Sequence, residues 1–159
     1  VSELRVNNIA NTAGADAFSI TASGTVSLIN PIAFSARRDA GNITSGPTTI
    51  IWNTVISNIG SAYNAGTGIF TAPIAGVYFF SFFGMNNNGG TFELRLQKNN
   101  IDVGINPYGT STGLYNGNHG SVTLQLAASD QMKVINATGT SLYASGPNAH
   151  NGFSGFLIG

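Results

Sequence analysis

At 159 residues the chain has room for one domain and a short appendage. Charged residues make up only 8%, against a usual share of roughly 25%, and six basic against six acidic side chains leave no net charge. That composition excludes a basic nucleic-acid surface, and the absence of cysteine excludes disulfides and thiolate metal sites.

Residues 1–31 come first and look different from the rest. Val6-Asn7-Asn8-Ile9-Ala10-Asn11-Thr12-Ala13-Gly14 and Phe18-Ser19-Ile20-Thr21-Ala22-Ser23-Gly24 are small-residue, low-charge segments without a long apolar face. Alone they cannot bury enough surface to fold, so they read as an extended docking or oligomerisation arm, with Asn30-Pro31 as turn and boundary. Val1-Ser2-Glu3-Leu4-Arg5 lacks the basic-then-apolar layout of a signal peptide, which fits a removed leader or synthesis in the cytoplasm.

From residue 32 onward, short alternating segments separated by Gly, Asn, Ser and Pro replace any helical period, the pattern of an all-β antiparallel sandwich or barrel. Trp52, Asn58, Tyr63, Phe70, Gly76, Tyr78, Phe80 and Phe82 read together as one spaced unit. Tyr78, Phe80 and Phe82 share one face of a strand, because side chains repeat every two residues. Val77, Phe79 and Phe83 make the other face apolar too, so this strand lies deep in one chain or packs against another. Its run, Gly76 to Phe83, is far short of the roughly 20 residues that span a bilayer, so membrane insertion is not expected.

Phe92, Leu94 and Leu96 then alternate with polar partners, as do Val122, Leu124 and Leu126. Met132 and Val134 follow a turn at Ala128-Ser129-Asp130, and Phe153 to Ile158 closes the chain as a strand apolar on both faces. Between these segments, Asn86 to Gly90, Gly109 to Gly120 and Gly139 to Gly152 read as polar loops.

These spacings resemble the signature of the C1q globular domains, within the tumour-necrosis-factor-like superfamily. The signature asks for an aromatic, Asn or Asp, an aromatic or Leu, Phe, Gly and an alternating Tyr-x-Phe-x-aromatic end, which Trp52 through Phe82 supply with Trp where Phe is usual. Ala33-Phe34-Ser35-Ala36-Arg37 is similar to the family's opening strand, Leu96 to Asn100 to its fourth main strand and turn, and Leu142-Tyr143-Ala144 with Phe153 to Leu157 to its closing portion. The resemblance covers residues 32–159 and implies a ten-stranded antiparallel jelly roll that assembles as a homotrimer, its first and last strands neighbours. On that reading Trp52, Tyr63, Phe70, Tyr78, Phe80, Phe82, Phe153 and Phe156 are trimer or core residues.

Residues 4–14 resemble N-terminal repeats in tail-fibre and other virion proteins of marine bacteriophages. This implies a virion surface protein, made in the host cytoplasm, whose arm docks on capsid or tail proteins. The alternative is a secreted C1q-domain lectin or pattern-recognition protein. The Gly-X-Y stalk of many C1q proteins is not seen in residues 1–30.

Chemistry is sparse. His119 and His150 lie outside any nucleophile context, and Glu3, Asp16, Asp39, Glu93, Asp102 and Asp130 form neither an acid–base pair nor a calcium loop. No enzyme, cofactor or metal is expected; Asp102 and Asp130 read as turn residues. Asn42-Ile43-Thr44 and Asn136-Ala137-Thr138 match the glycosylation pattern by chance. The loops hold the candidate recognition surface: Tyr108, Tyr115, Asn116, Asn118 and His119 in one, Tyr143, Asn148 and His150 in another. A flat apolar ring beside amide and hydroxyl groups suits a sugar, so Tyr115, Asn118 and His119 are candidate ligands for a host surface glycan, against the alternative of ordinary polar loops with Tyr143 packed.

Overall fold

The computed structural model describes residues 6, 8–10, 13, 16–28, 31–39, 41, 43, 46–113, 115–146 and 150–159. The chain divides into two compact units, Val1–Pro31 and Ile32–Gly159, and no helix occurs among the described residues. In the first unit, β1 (Asn8–Ala10), β2 (Asp16–Ile20) and β3 (Val26–Leu28) pair as an antiparallel sheet of order β1-β2-β3. The expected extended arm is therefore partly a small meander. Its β2–β3 turn is closed by Thr21 N–H donating to the Thr25 carbonyl, with Gly24 at φ 81°. Leu4, Arg5, Asn7, Asn11, Thr12 and Gly14 of the phage-like segment lie outside the described residues, as do Glu3, Asn30, Asn42, Thr44 and Asn148.

The second unit holds β4 (Ala33–Arg37), β5 (Thr48–Thr49), β6 (Thr54–Ile59), β7 (Tyr63–Asn64), β8 (Ile69–Thr71), β9 (Gly76–Met85), β10 (Gly90–Lys98), β11 (Ile101–Asp102), β12 (Tyr108–Ser111), β13 (Gly117–Leu126), β14 (Gln131–Asn136) and β15 (Gly152–Leu157). One antiparallel sheet has the order β13-β9-β15-β4-β6. The other runs β11-β10-β14-β8-β7, with β12 added to β10 and β5 to β14. This is the expected jelly roll, with β4 and β15, the first and last strands of the unit, side by side. The two-residue strands β5, β7 and β11 raise the count above ten.

Aromatic side chains from both sheets fill the space between them. Phe34 on β4 stacks on Tyr63 (centroids 4.8 Å apart, planes 3°) and on Phe70 (5.2 Å), and meets the Phe153 ring edge-on at 4.8 Å. Phe70 in turn meets Tyr78 and Phe80 edge-on, at 5.6 and 5.3 Å. Burial of each such ring contributes roughly 1.5–3 kcal/mol. The β15 backbone reaches this cluster only because residue 155 is glycine: a Cβ there would stand 2.5 Å from the Phe80 ring and 3.0 Å from Phe34.

The signature spacing also has a hydrogen-bond basis. Asn58 Nδ2 donates to the Tyr63 carbonyl (2.8 Å), the Tyr63 N–H donates to Asn58 Oδ1 (3.1 Å), and the Tyr63 hydroxyl donates to the Trp52 carbonyl (3.0 Å). One amide thus ties off the β6–β7 connection, and the phenol pins the backbone at Trp52. Burial pushes the Tyr63 hydroxyl well above the ordinary phenol value. Trp52 is fully buried, and its indole N–H finds no acceptor among the described residues.

Candidate functional site

The two outward faces of the sandwich differ in chemistry. On the sheet containing β10, Arg95 Nε donates to Glu93 Oε1 (2.7 Å), Arg95 also pairs with Asp102 (3.2 Å), and Gln97 Nε2 donates to Asp102 (2.8 Å). Lys133 lies opposite Gln97 and so shares that face. On the β13-β9-β15-β4-β6 sheet, Arg37 is the sole Lys, Arg, Asp or Glu in the strands, and it is paired with Asp39 (2.6 Å) at the end of β4. The Arg37 hydrogen bond holds the Asp39 carboxyl below its ordinary value.

Register shows what replaces charge on that second face. Ser121, Ser81, Ser154, Ser35 and Ser57 are successive cross-strand partners, a row of serines running across all five strands. Next to it runs the row Thr123, Phe79, Phe156, Ala33 and Ile59. Phe79 and Phe156 touch, with centroids 5.4 Å apart. Phe83, Phe156 and Ile59 are 43%, 45% and 50% exposed in the single chain.

Of the eight expected trimer or core aromatics, Trp52, Tyr63, Phe70, Tyr78, Phe80, Phe82 and Phe153 are buried between the sheets, whereas Phe156 lies outside the chain's own core. The odd spacing from Phe153 places it on the opposite strand face. On the same outward side of β9, Phe79 is half-buried and Phe83 exposed.

The expected glycan residues separate. The segment Gly109 to Gly120, read as a loop, contains the end of β12 and the start of β13, because its glycines permit close strand contact: a Cβ at Gly120 would stand 2.6 Å from the Phe82 ring. Asn118 and His119 are consecutive on β13 and point to opposite faces. Asn118 Nδ2 donates to the Phe92 carbonyl (2.7 Å), while His119 lies opposite Phe83 on the uncharged face. Tyr115 instead joins the other connection: its ring meets Tyr143 at 5.5 Å and 63°, and Tyr143 stacks on His150 at 5.3 Å and 28°. Tyr108 sits on β12, 63% exposed, its hydroxyl accepting from Thr110. Among the described residues no group of three or more His, Cys, Asp or Glu could hold a metal, and no helix is long and apolar enough to cross a membrane.

Asp130 works as a turn residue. Its carboxylate pairs with Lys98 (2.8 Å) and accepts from Asn99 Nδ2 (2.7 Å) and the Ala127 N–H (2.8 Å). Led by the Lys98 contact, these bonds lower its pKa from 3.8 to about 2. A folded-state pKa below the unfolded one adds stability above the unfolded value, and that contribution disappears as pH falls through the folded value. Wild-type urea midpoints are therefore expected to fall more steeply than those of Asp130→Asn between about pH 4 and about pH 2.

Comparison with known proteins agrees with this architecture. The profile of the C1q domain matches residues 33–158. The chain belongs to the C1q-domain family. It is 31% identical over 111 residues to the mouse collagen alpha-1(X) chain, covering 69% of this chain but only 16% of that much longer protein. Among solved structures, the globular domain of zebrafish complement 1qA matches with a TM-score of 0.68 and 25% identity, over 80% of this chain and 98% of that one. The Eiger TNF of S. frugiperda shares the fold at TM-score 0.66 and 14% identity, over 82% and 94% of the two chains. Murine APRIL also shares it, at TM-score 0.63 and 12% identity, over 80% and 99%. Within this C1q domain the opening strand is β4 and the closing strand β15.

Proposed function

We propose that this C1q domain is a non-enzymatic recognition module that works as a homotrimer, with the serine-and-phenylalanine face of the β13-β9-β15-β4-β6 sheet turned towards its own copies. The observation that carries the reading is the uneven charge: Glu93, Arg95, Asp102 and Lys133 decorate one outward face, while Phe79, Phe83 and Phe156 are left partly open on the other. Apolar surface gathered on an uncharged face favours association over solvation. A second copy supplies a face of the same character without leaving a buried charge unpaired.

The family, and the likeness to a collagen chain and a complement domain, support an extracellular setting. The phage-like sequence of residues 4–14 supports a virion surface, with the unit of residues 1–31 docking on capsid or tail proteins. One experiment addresses both. By sedimentation equilibrium the full chain and a chain lacking residues 1–31 are each expected at three times the single-chain mass, 16.4 kDa for the full chain. Incubated with phage particles lacking the protein, the full chain alone is expected to load. A monomer at micromolar concentration removes the trimer, and loading by the shortened chain removes the tether.

A further inference from the structure

We infer that the Tyr115–Tyr143–His150 cluster is a binding platform for neutral saccharide rings, which deepens the reading of the chain as a recognition module by naming its ligand class. The three rings come from two separate connections and touch in series: Tyr115 meets Tyr143 at 5.5 Å and 63°, and Tyr143 stacks on His150 at 5.3 Å, so two half-buried rings back the ring of Tyr115. Tyr115 is 55% exposed.

The rings are held from behind. On one side, Asn86 N–H donates to the Asn116 carbonyl (2.9 Å), and Asn116 N–H donates to Asn86 Oδ1 (2.7 Å), so the residue after Tyr115 is bonded in both directions to a fully buried asparagine. On the other, Tyr143 N–H donates to the Met85 carbonyl (2.7 Å), and Asn151 Nδ2 donates to the Tyr143 carbonyl (2.9 Å). Between these anchors Tyr115 adopts φ 66°, a left-handed conformation that a bulky residue rarely takes. Strain of this kind persists only where the surroundings impose it, and it occurs at ligand-binding positions. Here it presents a large ring beside Tyr143, where core packing does not require one. Pre-set rings lose little freedom on binding, which favours a weak, small ligand.

The chemistry of the cluster selects the ligand. No acid or base with a full-time charge belongs to it, so it offers no counter-ion to a cationic or anionic group. Arg38, tied to Asn151 through its backbone, has its guanidinium on the carbonyls of Gly41 (2.6 Å) and Ile51 (3.0 Å). What remains is the exposed apolar ring of Tyr115, backed by Tyr143 and accompanied by phenol hydroxyls and an imidazole. Tyrosine of this kind serves ligands that are apolar on one side and wet on the other. A neutral pyranose presents an apolar C–H face rimmed by hydroxyls. Repetition of the platform in a trimer would raise binding to a polyvalent surface through avidity, without any new contact.

Saturation-transfer NMR of the full chain with methyl α-mannoside, methyl β-galactoside and methyl β-glucoside tests the inference at the level of one site, so its result does not depend on assembly. Transfer to the ring protons of at least one glycoside is expected. Tyr115→Ala and Tyr143→Ala are each expected to weaken binding about tenfold, while Tyr115→Phe keeps most of it. Tyr108→Ala, on β12, is expected to change nothing. The inference is overturned if no glycoside shows transfer, if binding survives Tyr115→Ala together with Tyr143→Ala, or if N-acetyl-tryptophanamide binds and the sugars do not. Transfer retained in a chain that sediments as a monomer would count against the trimer and leave the platform standing.

Discussion

Phe34→Ala is expected to lower the unfolding free energy by about 3–5 kcal/mol, the cost of removing a buried aromatic ring whose surroundings cannot close the gap. Phe34 is 2% exposed and contacts four other rings, Tyr63, Phe70, Phe80 and Phe153. Those partners come from both sheets, so the cavity would open between the layers. Neither can collapse onto it alone: Phe153 is fixed by the register of β15 with β4 and β9, and Tyr63 by its hydrogen bonds to Asn58 and Trp52. For a domain of roughly 5–15 kcal/mol total stability this loss is close to unfolding. Urea midpoints at one fixed protein concentration measure it, since assembly adds concentration-dependent stability. Phe34→Leu, which keeps much of the volume, is expected to lose less than half as much. A loss below about 1 kcal/mol for Phe34→Ala would mean that the aromatic cluster does not join the sheets as described.

Phe34 is also a measure of what the sequence reveals. The alternation of Tyr78, Phe80 and Phe82 and of Phe92, Leu94 and Leu96 makes the strands and their inward faces legible, because a two-residue period is a local property. The signature positions Trp52, Asn58 and Tyr63 are legible for a related reason: their bonds span short sequence distances. Phe34 stands among small residues on a five-residue strand, and its role comes from strands far along the chain. The serine row is hidden in the same way. Each serine is unremarkable in its own strand, and only the registers of β13, β9, β15, β4 and β6 bring the five into line.

The candidate site shows the limits of reading by neighbourhood. Proximity in sequence groups Tyr115, Asn118 and His119, yet β13 pairing with β9 begins at Gly117 and then splits Asn118 from His119. The link from Tyr115 to Tyr143 and His150 follows from the bonds of Asn116 to Asn86 and of Tyr143 to Met85, both beside the end of β9. Glycine content suggested a loop from Gly109 to Gly120, but glycine there makes room for neighbours such as the Phe82 ring at Gly120.

A carboxylate at position 156 is expected to dissociate the assembly and leave the domain folded. Phe156 lies in the middle of the uncharged face, flanked by Phe79 and Ala33 across the strands, and its side chain points away from the aromatic core. Phe156→Glu in a single chain therefore exchanges an open ring for an open carboxylate, so the domain is expected to stay folded and its unfolding midpoint to fall only by the stability that assembly adds to the wild type. Against a second copy the same group would be buried without a permanent cation, because the one Lys or Arg in these five strands, Arg37, is already held by Asp39. An unpaired buried charge costs roughly 3–5 kcal/mol, and a closed ring of three copies would bear that cost in every protomer. Sedimentation at micromolar concentration is expected to show a monomer for Phe156→Glu. Lys133→Glu, on the charged face of the other sheet, is expected to keep the wild-type mass. If Phe156→Glu remained trimeric while Lys133→Glu dissociated, the contact would lie on the charged sheet. The row of serines would then face solvent, and the exposed phenylalanines would need another partner.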